Sequence, residues 1–249
     1  MPPRRPRLLY VALALALFGS FACATKPAEP SGFLAEDQKM GEQDLYPFQR
    51  AWFAEGWNDP ARSSIVIAPV NTQYVKQTEW WKKAEEEGKL EDLARDLDDL
   101  ALFTEEQFEK AFREDENKRF AVLDSPQTGS VVMELAIVDV EPNKAKLGAL
   151  GLAATLLAAP FGVAIAAKEA AKGGVAIEGR LKDAQSGQVI AMFADRERGK
   201  FAPISVARAT SFGEIQRSLR EWAEQWVKIA NAPPGEKVKD VKPFTLRPW

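Results

Sequence analysis

Val175-Ala176-Ile177-Glu178-Gly179-Arg180-Leu181-Lys182 runs into Asp183-Ala184-Gln185-Ser186-Gly187 and returns as Gln188-Val189-Ile190-Ala191-Met192-Phe193-Ala194. Val175, Ile177 and Leu181 alternate with Ala176, Glu178, Arg180 and Lys182. A period of two puts successive side chains on opposite faces of a strand, so this stretch predicts a β-hairpin. Asp183 can hold the turn through its side chain, and Gly187 supplies the positive φ that a short connection needs. That turn role is a stronger account of Asp183 than a catalytic acid.

Upstream, Ser130 to Val140 alternates in the same way, with Val131, Met133, Leu135 and Ile137 against Val132, Glu134, Ala136 and Val138. Arg119 to Asp124 reads as a short strand stopped by Ser125-Pro126, and Ser64 to Val70 as a strand apolar enough to be covered on both faces. Between them the period changes. Gln73 to Glu87 is helical up to Gly88, and Leu90, Leu93, Leu97 and Leu100 make one apolar stripe. The intervening Asp92, Arg95, Asp96, Asp98 and Asp99 read as a solvated face rather than an acidic metal site. Thr104-Glu105-Glu106-Gln107 has capping-box spacing and predicts a fresh helical start, with Phe108 and Phe112 inward and Asp115 to Lys118 as its end.

Ser211-Phe212-Gly213-Glu214 has the same spacing before a last helix to Ala230. Its stripe is Phe212, Ile215, Leu219, Trp222, Trp226 and Ile229, a core pattern rather than a ligand site. Near the start of the folded body, Tyr46-Pro47-Phe48, Ala51-Trp52-Phe53 and Trp57 predict an irregular aromatic lead-in that packs as a strap over the core, or else forms a binding surface. The order predicts a single α/β (α+β) domain: a mixed, mostly antiparallel sheet with packed helices.

Two stretches fit no globular element. Met1 to Ala22 carries Arg4, Arg5 and Arg7, an apolar run from Leu8 to Phe18, then Gly19-Ser20-Phe21-Ala22 before Cys23, the one cysteine. This is a secretory signal with the cysteine where bacterial lipoprotein processing attaches lipid. Cys23 is the expected lipid-attachment residue, and Ala24 after it favours an outer-membrane destination facing the periplasm. Cleavage after Ala24, with Ala22-Cys23-Ala24 as the processing site, is the alternative. Each buried CH₂ of an acyl chain contributes about 0.8 kcal/mol to membrane binding, so several chains hold firmly. The second stretch, Leu147 to Ala167, has 21 residues without a charge between Lys146 and Lys168. Gly148, Gly151, Pro160 and Gly162 weaken a straight helix. A buried or oligomer-facing Ala/Gly helix pair, a segment dipping into the bilayer, and a true span all remain open.

The resulting division is a signal peptide at 1–22, a tether at 23–30, one domain at 31–232 with the apolar insert at 147–167, and a proline-containing tail at 233–249. The 249 residues, 46% hydrophobic, suffice for a core. Without Arg4, Arg5 and Arg7 the 30 remaining Lys and Arg face 36 Asp and Glu, a charge of about −6 that does not suit nucleic acid. The chain has no histidine, which excludes Ser-His-Asp and Cys-His hydrolases and imidazole zinc sites. No catalytic, metal-ligating or cofactor-binding residue is expected.

Ser31-Gly32-Phe33-Leu34 behind the cysteine, the strand ending Ile67-Ala68-Pro69-Val70-Asn71-Thr72, Trp80-Trp81, Phe112-Arg113-Glu114-Asp115, the hairpin through Gln188-Val189, and the ending from Asn231-Ala232-Pro233-Pro234-Gly235 to Pro243-Phe244-Thr245-Leu246 resemble an uncharacterised bacterial lipoprotein family of unknown function. The resemblance implies an outer-membrane or periplasm-facing lipoprotein and no activity. More loosely, the element order looks like the periplasmic α/β domain of curli-secretion and penicillin-binding-protein-activator lipoproteins. The functional expectation is a lipid-anchored structural or interaction module, held to the membrane and binding another envelope protein or itself. A carrier for a small apolar ligand or lipid is the alternative, and a carboxylate-based enzyme a third.

Overall fold

The computed structural model describes residues 27–42, 44–88, 90–141, 174–198 and 215–240. Six strands form one sheet: β1 (Arg50–Phe53), β2 (Ser64–Ile67), β3 (Ala121–Val122), β4 (Ser130–Glu141), β5 (Gly174–Asp183) and β6 (Val189–Arg198). Among the described residues three α-helices join them: α1 (Glu79–Glu86), α2 (Leu90–Arg113) and α3 (Gln216–Asn231). The strand order is β1-β6-β5-β4-β2-β3. The first four are antiparallel neighbours, whereas β2 runs parallel to both β4 and β3. The fold is therefore the expected α+β arrangement with a mixed, mostly antiparallel sheet.

The alternation sorts the side chains as the pleat requires. Val131, Met133, Leu135, Ile137, Val175, Ile177, Leu181 and Phe193 enter the main core with Leu97, Leu100, Phe108, Leu219, Trp222 and Trp226 of the helices. A bulge between Ile137 and Asp139 shifts the register of β4 by one, and Val140 returns to the core. Gly179 is dictated by packing: a Cβ there would lie 2.0 Å from Phe193 Cε1 and 2.9 Å from Leu135 Cδ2. All four β2 residues are buried, as expected of a strand covered on both faces.

Four local expectations are corrected. The aromatic lead-in contains β1, whose Arg50 to Phe53 pair with Ala194 to Ala191 at the sheet edge. Phe48, Phe53 and Trp57 gather around Trp226 at centroid distances of 5.6, 6.0 and 6.4 Å, so the packing reading of these rings holds. Thr104 caps nothing. α2 is one helix of 24 residues, and the buried Thr104 hydroxyl donates back to the Leu100 carbonyl at 2.7 Å. The region from Gln73 begins instead with a 3₁₀ turn, Val75–Gln77, before α1. Finally, β3 is two residues rather than six, because Arg119 turns its guanidinium to the Asn58 side chain and the Arg62 carbonyl while Phe120 is buried.

Part of the tail folds back: Val238 N–H donates to the Leu45 carbonyl at 2.8 Å and its side chain packs on the core. Cys23, the capping spacing at 211–214 and the insert at 147–167 lie outside the described residues. Among the described residues no helix is long and apolar enough to cross a membrane.

Candidate functional site

One sheet face carries the helices; the other is crossed by the chain leaving the tether. Ser31-Gly32-Phe33-Leu34 is the part of the chain that fastens it. The Ser31 N–H donates to Glu178 Oε1 at 3.0 Å, and its hydroxyl to Oε2 at 2.7 Å. Gly32 has φ +91°, a value that a residue with a Cβ rarely adopts, and it turns the chain down onto the sheet. Phe33 then lies under the Arg180 guanidinium, 4.7 Å from its ring centroid, and edge-on to Tyr74 at 6.0 Å. Its carbonyl accepts from Arg180 Nη1 at 3.1 Å. Leu34 closes a small second core with Met40 and Met192.

The sheet face beneath is built to receive this strap. Glu178 is 3% exposed, opposite Ala136 of β4 and Ala194 of β6, so small neighbours leave room for the chain above. Glu134 accepts from Arg180 Nε at 2.6 Å and Lys182 Nζ at 2.8 Å. Burial pushes its carboxyl up, but the hydrogen bonds and charges of Lys182 and Arg180 outweigh this and hold it below the ordinary value. Asp139 and Arg196 pair farther along the same face. Between the strap and the 3₁₀ turn is an open groove of about 460 Å³, lined by Pro27, Pro30, Tyr74, Thr78, Val138 and Arg196 among others.

The direction of the strap is fixed by its contacts. Ala28 packs against Ala136, Val138 and Ala176, whereas Leu34 reaches Met192. The chain thus enters at the end of the sheet where Glu141, Gly174 and Arg198 are paired side by side, and runs toward the other. At that other end, the Ser186 backbone N–H and hydroxyl hold Asp183 down to about 2, with Arg62 helping. Asp183 is a turn residue there, as its sequence context indicates, and Gly187 has φ +71°.

Two further sites have structural explanations. On the helix face, Asp195 is 7% exposed and accepts from Trp222 Nε1 at 2.7 Å. Burial pushes its carboxyl up to about 7; the Trp222 hydrogen bond opposes this and the nearby Glu197 charge adds to it. A larger groove of about 610 Å³ lies where the C-terminal ends of α2 and α3 meet the tail. Its buried carboxylate, Asp115, accepts from the Asn117 and Arg119 backbones and from Asn231 Nδ2, so it ties α2 to α3. Among the described residues no three His, Cys, Asp or Glu side chains gather to hold a metal. Trp57, Trp81, Trp222 and Trp226 are all core residues.

The sequence pattern placed Glu178, Arg180, Lys182 and Glu134 on the polar side of the alternation but did not connect them to Ser31, 147 residues before Glu178. The available signal was opposite charge at facing positions of neighbouring strands, which marks cross-strand pairs but not a strap above them.

A family model described as a protein of unknown function, DUF3313, matches residues 29–226. No curated protein matches. Among solved structures, two crystal forms of the PelC dodecamer from Paraburkholderia phytofirmans, one carrying a point substitution, are similar at 8% identity and a TM-score of 0.35. These matches cover 66% of this chain and 86% and 87% of those chains.

Proposed function

The chain belongs to the DUF3313 family of proteins of unknown function, and we propose that it is a lipid-anchored cell-envelope protein, acylated at Cys23, whose folded body is a non-catalytic interaction module. The strap carries this reading. Only seven residues separate Cys23 from Ser31, the residue bonded to Glu178 in the middle of the sheet. A lipid at Cys23 would hold the folded body close against the bilayer. The remaining features agree with it: a signal-like leader, a cysteine behind a small-residue segment, and buried carboxylates engaged in structure. Ala24 after the cysteine directs the reading to the outer membrane, facing the periplasm.

A carrier for apolar ligands gains no specific support, since four of the seven tryptophans are packed into the core. Cell fractionation tests the anchor. The native chain is expected in the membrane pellet, solubilised by detergent but not by high salt, and Cys23→Ser is expected to lose that association. A native chain recovered wholly in the soluble periplasmic fraction would overturn the reading. Crosslinking in intact cells tests the interaction half: a discrete adduct with an envelope protein or a second copy is expected, and a strictly monomeric species contradicts it.

A further inference from the structure

Asp195 stands where the pairing of β1 with β6 stops. β6 runs on to Arg198, but β1 pairs only with Ala191 to Ala194, and Asp195 is the next residue. Its carboxyl gathers N–H donors from three elements. Trp222 Nε1 of α3 donates to Oδ2 at 2.7 Å, and the Gln49 backbone N–H, just before β1, donates to Oδ1 at 3.4 Å. The Arg196 backbone N–H, on β6 itself, is the third. Gln49 holds the same point again, through Nε2 to the Arg196 carbonyl at 3.3 Å.

We infer that Asp195 is a proton-operated clasp on the edge of the sheet: protonated, it fastens the Gln49–Arg50 end of β1 to β6 and α3, and ionised, it lets that end open. The inference goes beyond the proposed function and does not depend on acylation of Cys23. Three observations carry it.

The first is the lack of a countercharge. Asp195 is 7% exposed, and among the described residues no cation pairs with it. Glu197 lies on the same face of β6, two residues on, and its charge opposes ionisation. Ile177 stands opposite in β5. On α3 the charges beside Trp222 are engaged elsewhere: Glu221 accepts from Arg217 at 2.8 Å, and Arg220 lies 5.9 Å from the Phe103 ring. On the lead-in Arg50 pairs with Asp37, and Arg196 turns to the other face to pair with Asp139. An ionised Asp195 therefore has N–H donors alone, and access to water is what relieves it.

The second is which side gives way. Trp222 and Ile177 are core residues, and β5 pairs with β6 from Gly174 to Lys182. β1 offers four residues at the sheet edge, and edge elements open at lower free energy than the core. The third is what the opening uncovers. Ala51 exchanges both of its backbone hydrogen bonds with Gly41, so Arg50 and Trp52 turn theirs to β6 by alternation. Lifting the Gln49–Arg50 end bares the Ala194 backbone and the Arg196 carbonyl, an edge of the kind that accepts an added strand.

Burial keeps the closed carboxyl protonated up to about pH 7, whereas an open one has the ordinary value of 3.8. Opening therefore becomes easier as pH rises from about 4 to 7, by up to roughly tenfold per unit, and levels off above 7. Hydrogen exchange of the full chain, corrected for its intrinsic pH dependence, reads the clasp amide by amide. From pH 5 to pH 8, protection at Arg50 and Trp52 is expected to fall at least tenfold. At each pH it is expected to stay at least tenfold below that of Leu135 and Ile177 in the central strands. Asp195→Asn keeps an oxygen for Trp222 and cannot ionise, so its β1 protection should be flat with pH; Asp195→Ser serves if that variant does not fold. Equal protection in β1 and the central strands would mean that β1 opens only with the whole fold, and the clasp would fall. A native profile flat with pH, or a slope that survives in the variant, would remove it as well.

Discussion

Glu178 sits in the middle of β5 with 3% of its surface exposed, and a carboxylate so placed needs donors. Ser31 supplies two of them. Ser31→Ala deletes a hydrogen bond to a charged group and leaves Oε2 short of a donor, so it should cost about 2 kcal/mol, read as a lower urea midpoint at unchanged slope. In a double-mutant cycle with Glu178→Ala, coupling above about 1 kcal/mol is expected, and simple additivity would contradict the contact. Gly179→Ala puts a Cβ into Phe193 and should cost about 3 kcal/mol. Asp195 gives a pH signature. Its folded value of about 7 lies above the ordinary 3.8, so between about pH 4 and 7 the unfolded chain releases a proton that the folded chain keeps. This group's contribution is therefore fully present below pH 4, declines as pH rises, and is flat above 7. Asp195→Asn keeps an oxygen for Trp222 and removes the slope. It should match the native chain near pH 4 and exceed it in stability at pH 8; a native chain equally stable at both, with the variant parallel to it, would contradict the buried neutral acid.

At the scale of elements, legibility followed periodicity. The hairpin β5–β6, β4 and α3 were readable because one residue in two, or a three- and four-residue stripe, faces a single core. β1 was not, because an edge strand of four residues gets its identity from a partner some 140 residues away in β6. The strap is the same case: Ser31-Gly32-Phe33-Leu34 was recognisable as a motif, but its meaning depends on Glu178 and Arg180. Thr104 misled because a capping-box spacing also occurs inside a helix, where the hydroxyl bonds back to residue i−4. α2 offers a direct check on the stripe. Leu97 is fully buried and Leu102 is 55% exposed, five residues on along the same helix. Leu97→Ala should cost about 3 kcal/mol and Leu102→Ala no more than about 0.5, by thermal or urea unfolding. Similar losses at both would mean that α2 is packed on a second side.

For the whole molecule, the arrangement is a sheet with helices on one face and the N-terminal strap on the other, so Ala28, Phe33 and Leu34 are part of the fold. With Cys23 acylated as proposed, such a strap would make the lipid a positional constraint on the body, which a long flexible linker would not do. The same feature limits what the sequence could convey about function. Leader, cysteine and uncharged run were legible as composition, whereas the seat of Ser31 on Glu178 is a property of the folded sheet. The claim on which the account depends is the fate of Cys23, and the mass of the N-terminal tryptic peptide of the mature protein, purified from membranes, tests it most directly. A peptide beginning at Cys23, ending at Lys39 because Pro27 blocks cleavage after Lys26, and carrying a diacylglyceryl thioether is the result predicted. An unmodified peptide beginning at Thr25 would contradict it.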